Sequence, residues 1–215
     1  MNMSNQKHNA GEMPEPRYEF RTFGQDLSES AELMSRLSAP VQDNAKFRIS
    51  SEIYIISHLN EVNNIKIRDD LLDMKTYIQI VRGLEQWKPF LKAEFPINKE
   101  VLLNVVFPFL KVKAPNLSKI KFSCNELVQI IDEHEELQTV NLAKERFSYI
   151  VNNTVCEVAN VLVNGVKLVS ISSESTEIDD ILQTIQAVKL SGYENINYIQ
   201  MIKRVIGMVH KPLAN

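Results

Sequence analysis

Apolar and polar residues alternate with a period of two along several stretches of this chain, which is the pattern of β-strands with one buried face. The clearest stretch, residues 65–77, reads IKIRDDLLDMKTY, with apolar and charged residues alternating on both sides of an Asp-Asp pair. Such a pair favours a turn. We therefore predict a β-hairpin with one apolar face and one charged face, the latter formed by Lys66, Arg68, Asp73 and Lys75.

Alternation of the same kind predicts further strands, and helical periodicity predicts helices between them. The strands are expected over 17–23, 47–57, 77–81, 90–95, 141–151, 155–163 and 166–171. The helices are expected over 27–37, 99–107, 123–137, 177–190 and 196–209. Meandering strands with helices at their ends favour an α+β fold over βαβ alternation.

Composition narrows the class of protein. The 215 residues are 44% hydrophobic, which is enough for a globular core, and their net charge of -3 argues against a dedicated nucleic-acid-binding protein. The only two cysteines, Cys124 and Cys156, lack the spacing of a zinc site or a disulfide framework. No apolar run approaches the roughly 20 residues of a membrane span. Residues 1–16 resemble a disordered lead-in and not a signal peptide, so a cytoplasmic protein is expected.

Charged residues of the predicted strands are the candidate chemistry, because glycine-rich nucleotide loops, zinc-protease motifs and serine-hydrolase motifs are absent from the sequence. Cations recur at two-residue spacing: Arg17 and Arg21, Lys66 and Arg68, Lys144 and Arg146, with Lys75 and Lys92 on further strands. Two such cations lie roughly 6.5–7 Å apart, which suits successive phosphates of one chain. The alternative is a solvent-facing sheet with weak cross-strand ion pairs.

Taken in order, these segments resemble the CYTH superfamily, also called triphosphate tunnel metalloenzymes, over residues 17–209. The family's E-x-E-x-K strand is matched by RYEFR at 17–21, and its basic strand pair resembles KIR at 66–68 and LDMK at 72–75. Its R-x-E-x-E strand resembles KAEFP at 92–96, and its K-x-R strand resembles KERFSY at 144–149. Its closing S-Y-x-x-L-L segment resembles NYIQMI at 197–202.

Departures from the family pattern fall in one group, the acidic positions. Five of these expected positions are occupied here by Arg17, Pro96, Asn160, Ser170 and Ser172. Divalent cations are held by carboxylates together with substrate phosphates, so the losses lower the expected metal affinity. Whether Glu157 and Glu174 compensate depends on which way they face in the sheet.

The resemblance implies a closed or nearly closed antiparallel β-tunnel with flanking helices. Residues 17–215 would form a single domain of two pseudo-equivalent halves, about 17–110 and 111–215. An open sheet with its cations exposed on separate surfaces is the alternative fold.

The function implied is binding of a triphosphate or polyphosphate compound, such as a nucleoside or thiamine triphosphate, by a monomer or homodimer without nucleic-acid or membrane partners. An enzyme of this kind would be a Mg²⁺- or Mn²⁺-dependent triphosphatase. The alternative is a catalytically degenerate phosphoanion-binding or protein-interaction module.

Site residues follow from the same resemblance. Glu19 and Glu94 would be the catalytic residues and metal ligands. The phosphate-binding residues would be Arg21, Lys66, Arg68, Lys75, Lys92, Lys144 and Arg146.

Overall fold

Ten strands form in the part of the chain that the computed structural model describes, residues 15–213. In chain order they are β1 Arg17–Gly24, β2 Phe47–Ser57, β3 Asn64–Arg68, β4 Leu71–Val81, β5 Leu84–Glu94, β6 Ile97–Asn98, β7 Lys121–Phe122, β8 Leu137–Val151, β9 Thr154–Val163 and β10 Val166–Ser175. Strands β6 and β7 form a separate two-stranded sheet. The other eight form a closed antiparallel barrel in the order β1-β10-β9-β8-β2-β3-β4-β5.

The helices are α1 Ser28–Leu37, α2 Asp43–Lys46, α3 Lys99–Val101, α4 Phe107–Phe109, α5 Cys124–Asp132, α6 Ile178–Ala187 and α7 Tyr198–Val205. A π-helical turn, Leu102–Val106, joins α3 to α4. Helix α5 begins with the Ser123–Glu126 capping box that its sequence indicates. Within residues 15–213, no helix is long and apolar enough to cross a bilayer.

Closure of the barrel confirms the predicted α+β fold with an antiparallel tunnel and excludes the open-sheet alternative. The predicted hairpin is present as β3 and β4, and both residues of its Asp69-Asp70 turn have positive φ. Most of the predicted N-terminal lead-in, residues 1–14, lies outside the described residues.

The two largest differences from the predicted boundaries are in β5 and α5, and β8, β10 and α7 differ by up to four residues at one end. Strand β5 begins at Leu84 and not at residue 90, because Arg82-Gly83 forms a tight turn with positive φ at both residues and so continues the meander. Helix α5 ends at Asp132 and not at residue 137, because Leu137 already begins β8.

Three apolar clusters hold the helices to the barrel. The segment from β6 through α5 packs on the outside of β2, β3 and β4, and α1 and α6 pack on the outside of β1, β9 and β10. The third cluster lies at the end of the barrel where β8 and β10 begin, and there α7 packs against Phe23, Ile56, Val140 and Leu168. One end of the barrel is therefore filled by apolar side chains, which leaves polar side chains to the other half.

Two isoleucines of the β3–β4 hairpin test which of its side chains are buried. Ile65 is fully buried against the outer helical segment, whereas Ile80 is 60% exposed. Ile65→Ala is expected to lower the free energy of unfolding by about 2–5 kcal/mol, since it leaves a cavity. Ile80→Ala is expected to change it by less than about 0.5 kcal/mol. Urea denaturation measures both, and equal losses would contradict the assignment.

Candidate functional site

Strand register determines which charged side chains face into the barrel, because residues paired across neighbouring strands point to the same face. Lys66 pairs with Asp73, Asp73 pairs with Lys92, and Arg21 pairs with Ser172. The inward-facing cations are Arg17, Arg21, Arg48, Lys66, Arg68, Lys75, Lys92, Lys144 and Arg146. The inward-facing acids below the rim are Glu19, Glu52, Asp73, Glu85, Glu157 and Glu174. The barrel therefore brings all seven predicted phosphate-binding residues to one inner wall.

Glu157, on β9, is the centre of the first ion cluster. Its carboxylate lies 2.7 Å from the Lys144 amine, 3.1 Å from the Arg21 guanidinium and 3.6 Å from that of Arg146. Burial alone would raise the pKa of Glu157, but Arg21 and Lys144 outweigh that effect and lower it to about 2. Glu157 therefore stays ionised and neutralises part of the buried positive charge.

Glu52, on β2, is the centre of the second cluster. One carboxylate oxygen lies 2.8 Å from the Lys66 amine, and the other lies 3.3 Å from the Arg68 guanidinium. Burial acts to raise the pKa of Glu52, but Lys66, Lys144 and Arg68 lower it to about 2. Burial is the largest effect on Lys66 and lowers its pKa to about 8. Arg68 and Lys144 act in the same direction, whereas Glu52 opposes them by favouring the charged amine.

Two stacked tyrosines, Tyr54 of β2 and Tyr198 at the start of α7, separate these clusters from the apolar end. Their ring centroids are 5.5 Å apart, and we call the pair the tyrosine floor. Arg21 and Lys144 lie over the Tyr198 ring at 4.8 and 5.1 Å, and Lys66 lies 5.5 Å from the Tyr54 centroid. The ring faces thus add to the stabilisation of three cations that also form ion pairs.

The opposite end of the barrel is open and holds less constrained cations. A cavity of about 280 Å³ lies there, lined by Glu15, Arg17, Glu19, Lys75, Trp87, Pro89 and Glu174. Among residues 15–213, no hydrogen bond or ion pair holds the Lys75 amine, although this amine contributes to lowering the pKa of Glu19. The Nε of Arg146 is buried and has no hydrogen-bond partner there either. These donors are available to an anion.

Glu19 and Glu94, the predicted metal ligands, are not brought together. Glu19 faces inward and binds Arg21 at 2.6 Å, and its register partners are Glu85 and Glu174. Glu94 is exposed at the far end of β5, roughly 30 Å of strand beyond Glu85. One ion cannot be shared by two carboxylates at that separation.

A metal site also lacks its donor set. In the described range 15–213, no three His, Cys, Asp or Glu side chains gather into a metal-binding group. Ser170 and Ser172 do face inward, but they offer hydroxyls, and Ser170 accepts a hydrogen bond from Arg21 at 3.0 Å. The inner carboxylates other than Glu85 form ion pairs with cations. The residues present therefore do not fit a metal ion held by the protein alone.

Two acids of the site, Glu52 and Glu85, were missed by the sequence, and two more, Glu157 and Glu174, were left open. Glu52 and Glu85 carry no family signature, although Glu52 shares the two-residue period of β2 with Tyr54. Burial raises the pKa of Glu85, whose carboxylate accepts hydrogen bonds from Asn197 and Trp87. Asn160 does not stand in for a lost inner acid, because it is exposed and binds Glu145 on the outer face.

A larger cavity, about 930 Å³, lies outside the barrel between residues 113–119 and α5. Its charges are mixed, and Lys119 forms an ion pair with Glu126 across it. His134 donates its Nε2–H to the Lys113 carbonyl at 3.0 Å, and its Nδ1 accepts from the Glu136 amide, so it holds the loop. This groove lacks the convergent charge of the barrel interior.

Comparison with solved structures identifies the fold. A candidate adenylate cyclase from Bacillus halodurans aligns with a TM-score of 0.51 and 13% identity over 85% of this chain and 95% of that one. A candidate adenylyl cyclase from Hippeastrum with a dominant triphosphatase activity aligns with a TM-score of 0.51 and 16% identity, over 93% and 99%. No family model and no curated protein matches the sequence. The predicted CYTH-like resemblance is confirmed at the level of the fold.

Glu157 makes the stability of the protein depend on pH. Its pKa is depressed from 4.5 to about 2 in the folded state, so its contribution is complete above pH 4.5 and is lost as the pH falls through about 2. Glu157→Gln is expected to cost about 3 kcal/mol at pH 7, and the difference from wild type should shrink below pH 4.5. Urea unfolding at pH 7, 4 and 3 measures this.

Glu174→Gln is the matched control, because Glu174 makes one longer ion pair with the half-exposed Arg17. It should cost less than about 1 kcal/mol at every pH. A constant cost for Glu157→Gln across the pH range would refute the electrostatic account.

Proposed function

We propose that this chain, which has the triphosphate tunnel fold, binds the phosphate chain of a triphosphate or polyphosphate compound in the charged half of its barrel. The observation that carries the proposal is the unmet donor capacity inside: the amine of Lys75 and the buried Nε of Arg146 face the interior without partners among the described residues. A buried donor without a partner, such as the Nε of Arg146, is costly and a phosphate oxygen would satisfy it, whereas the half-buried Lys75 amine would gain a charge-assisted hydrogen bond.

Charge balance supports a polyanion as the ligand. Cations outnumber acids on the inner wall, where Glu85 accepts hydrogen bonds from Asn197 and Trp87. The cations are spread over β1, β2, β3, β4, β5 and β8, so that several phosphates can be contacted at once. A ligand enters from the open end, because α7 fills the other end. The dominant triphosphatase activity of the Hippeastrum protein is consistent with a triphosphate compound.

The side chains of the barrel interior favour phosphate binding without a metal ion held by the protein. The carboxylates that would hold Mg²⁺ or Mn²⁺ are separated or engaged by arginine and lysine, and no catalytic step through a metal follows from them. The other candidate is the metal-dependent triphosphatase. It is favoured by one observation, the direct register pairing of Glu19 with Glu174, which places two inner carboxylates on neighbouring strands. We place the protein in the cytoplasm.

Lys75 offers a direct test of the tunnel as the binding site. Lys75→Gln removes one charged donor without leaving an ion-paired acid behind, and it is expected to weaken tripolyphosphate binding about 10- to 100-fold. Titration calorimetry in buffer with EDTA measures this. Lys167→Gln is the matched control, because Lys167 is exposed on the outer face of β10; it should leave the affinity unchanged.

Metal dependence separates the two candidate functions. Wild-type protein at 100 times the dissociation constant should gain about 2.7 kcal/mol of stability from tripolyphosphate in EDTA. Stabilisation that appears only with Mg²⁺ or Mn²⁺, together with phosphate release, would favour the triphosphatase. No stabilisation under either condition would refute binding of a polyphosphate.

A further inference from the structure

Glu52 is placed differently from the other acids of the barrel. It lies on β2, its side chain is 1% exposed, and it does not line the cavity at the open end. Its two oxygens engage the two cations of β3, Lys66 and Arg68, one each. In residues 15–213, Lys66 has no ion pair other than the one with Glu52. Arg68 also lies 3.6 Å from Asp73 and 3.8 Å from Asp69, so Glu52 is the acid that the two cations share.

These contacts have the form of an anion-binding site that already contains an anion. Lysine and arginine at two-residue spacing present donors to one side of the strand, and a carboxylate fills the position between them where a phosphate oxygen would accept hydrogen bonds. Charge compensation of Lys66 is incomplete, because its acid Glu52 is shared with Arg68, whereas Arg68 also approaches Asp73 and Lys144 lies 2.7 Å from Glu157. The position retains attraction for further negative charge.

We propose that Glu52 is an internal counter-anion that competes with the ligand's phosphate for Lys66 and Arg68 and thereby sets the affinity of the tunnel. This inference rests on the proposed function. Phosphate binding alone does not require this role, because a carboxylate at a phosphate site repels the ligand and weakens its binding. In the free protein Glu52 lowers the cost of burying two cations, and in the complex it opposes the incoming anion.

Glu157 has a different place in the structure, although it also neutralises cations. Its partner Arg21 is held independently by Glu19 at 2.6 Å and by Ser170 at 3.0 Å. Arg21 therefore keeps its position and much of its neutralisation without Glu157. Lys66 has no second acid, so that removal of Glu52 changes the charge available to a ligand most directly at β3.

The test is the isosteric variant Glu52→Gln, which keeps the side-chain volume and removes the charge. The free variant is expected to have a lower melting temperature than wild type, because Lys66 and Arg68 lose their counter-ion. Tripolyphosphate is expected to bind at least about tenfold more tightly to the variant at pH 7 in EDTA, and it should restore the melting temperature. Titration calorimetry and thermal denaturation give the two readouts.

A pH profile provides a readout that a purely structural role would not move. The pKa of Lys66 is about 8 with Glu52 favouring its charged form. Wild-type affinity should therefore decline as the pH rises through about 8. In Glu52→Gln the pKa of the free lysine falls further, so the decline should begin at lower pH. An unchanged profile would contradict the competition for Lys66.

Two further variants keep the result interpretable. Glu174→Gln removes one inner negative charge beside Arg17, near the mouth, and should raise the affinity far less. Glu52→Asp keeps the charge but is too short to hold both cations, and its affinity should lie between wild type and Glu52→Gln. It also serves as the test if the glutamine variant does not fold.

The outcomes distinguish the two proposals. Tripolyphosphate binding by wild type, with equal or weaker binding by both Glu52 variants, would overturn the role of Glu52 and leave the proposed function in place. Binding by the Glu52 variants alone would support the competition. No binding by any of the proteins would overturn both.

Discussion

Neutralisation of cations inside the barrel is the constraint on which the rest of this structure depends. Like charges packed within a low-dielectric interior repel strongly, and desolvation adds to the cost. Glu157 and Glu52 meet this constraint by lying at the centres of two cation clusters, and both keep a pKa of about 2 despite their burial. The barrel can therefore retain a cation-rich inner wall.

The tyrosine floor lies at the junction between the charged half of the barrel interior and the apolar side chains that fill its other end. Helix α7 delivers Tyr198 into the barrel, and its N-cap Asn197 donates a hydrogen bond to the buried Glu85 on β5. The segment before it also bonds to β1, where the Ile196 amide donates to the Arg21 carbonyl. The closing helix is thus tied to strands whose side chains line the charged half, and it defines how deep a ligand can reach.

Local pattern was sufficient for much of the fold and for the cations, but not for the acids. Lys66 and Arg68 alternate with buried isoleucines, so their common face follows from β3 alone. The environment of Glu52 depends on pairing β2 with β8, strands distant in sequence, and on closure of the barrel. Strand β5 was truncated in the prediction because Pro89 interrupts it and Trp87, an apolar residue, lies on its inner face. Register shifts near Lys75 and Tyr77 added to the ambiguity.

The misplacement of the metal ligands has a physical explanation that also bears on function. A short motif assigned the acidic role to Glu94, whereas the closed barrel places Glu85 opposite Glu19. Burial raises the pKa of Glu85, and its two oxygens accept hydrogen bonds from Asn197 and Trp87, so both are already engaged. Serines occupy two more inner positions. Substitution of charged oxygens by hydroxyls weakens metal binding more than phosphate binding, because hydroxyls can also donate hydrogen bonds to phosphate. The interior thus favours an anion over a metal ion.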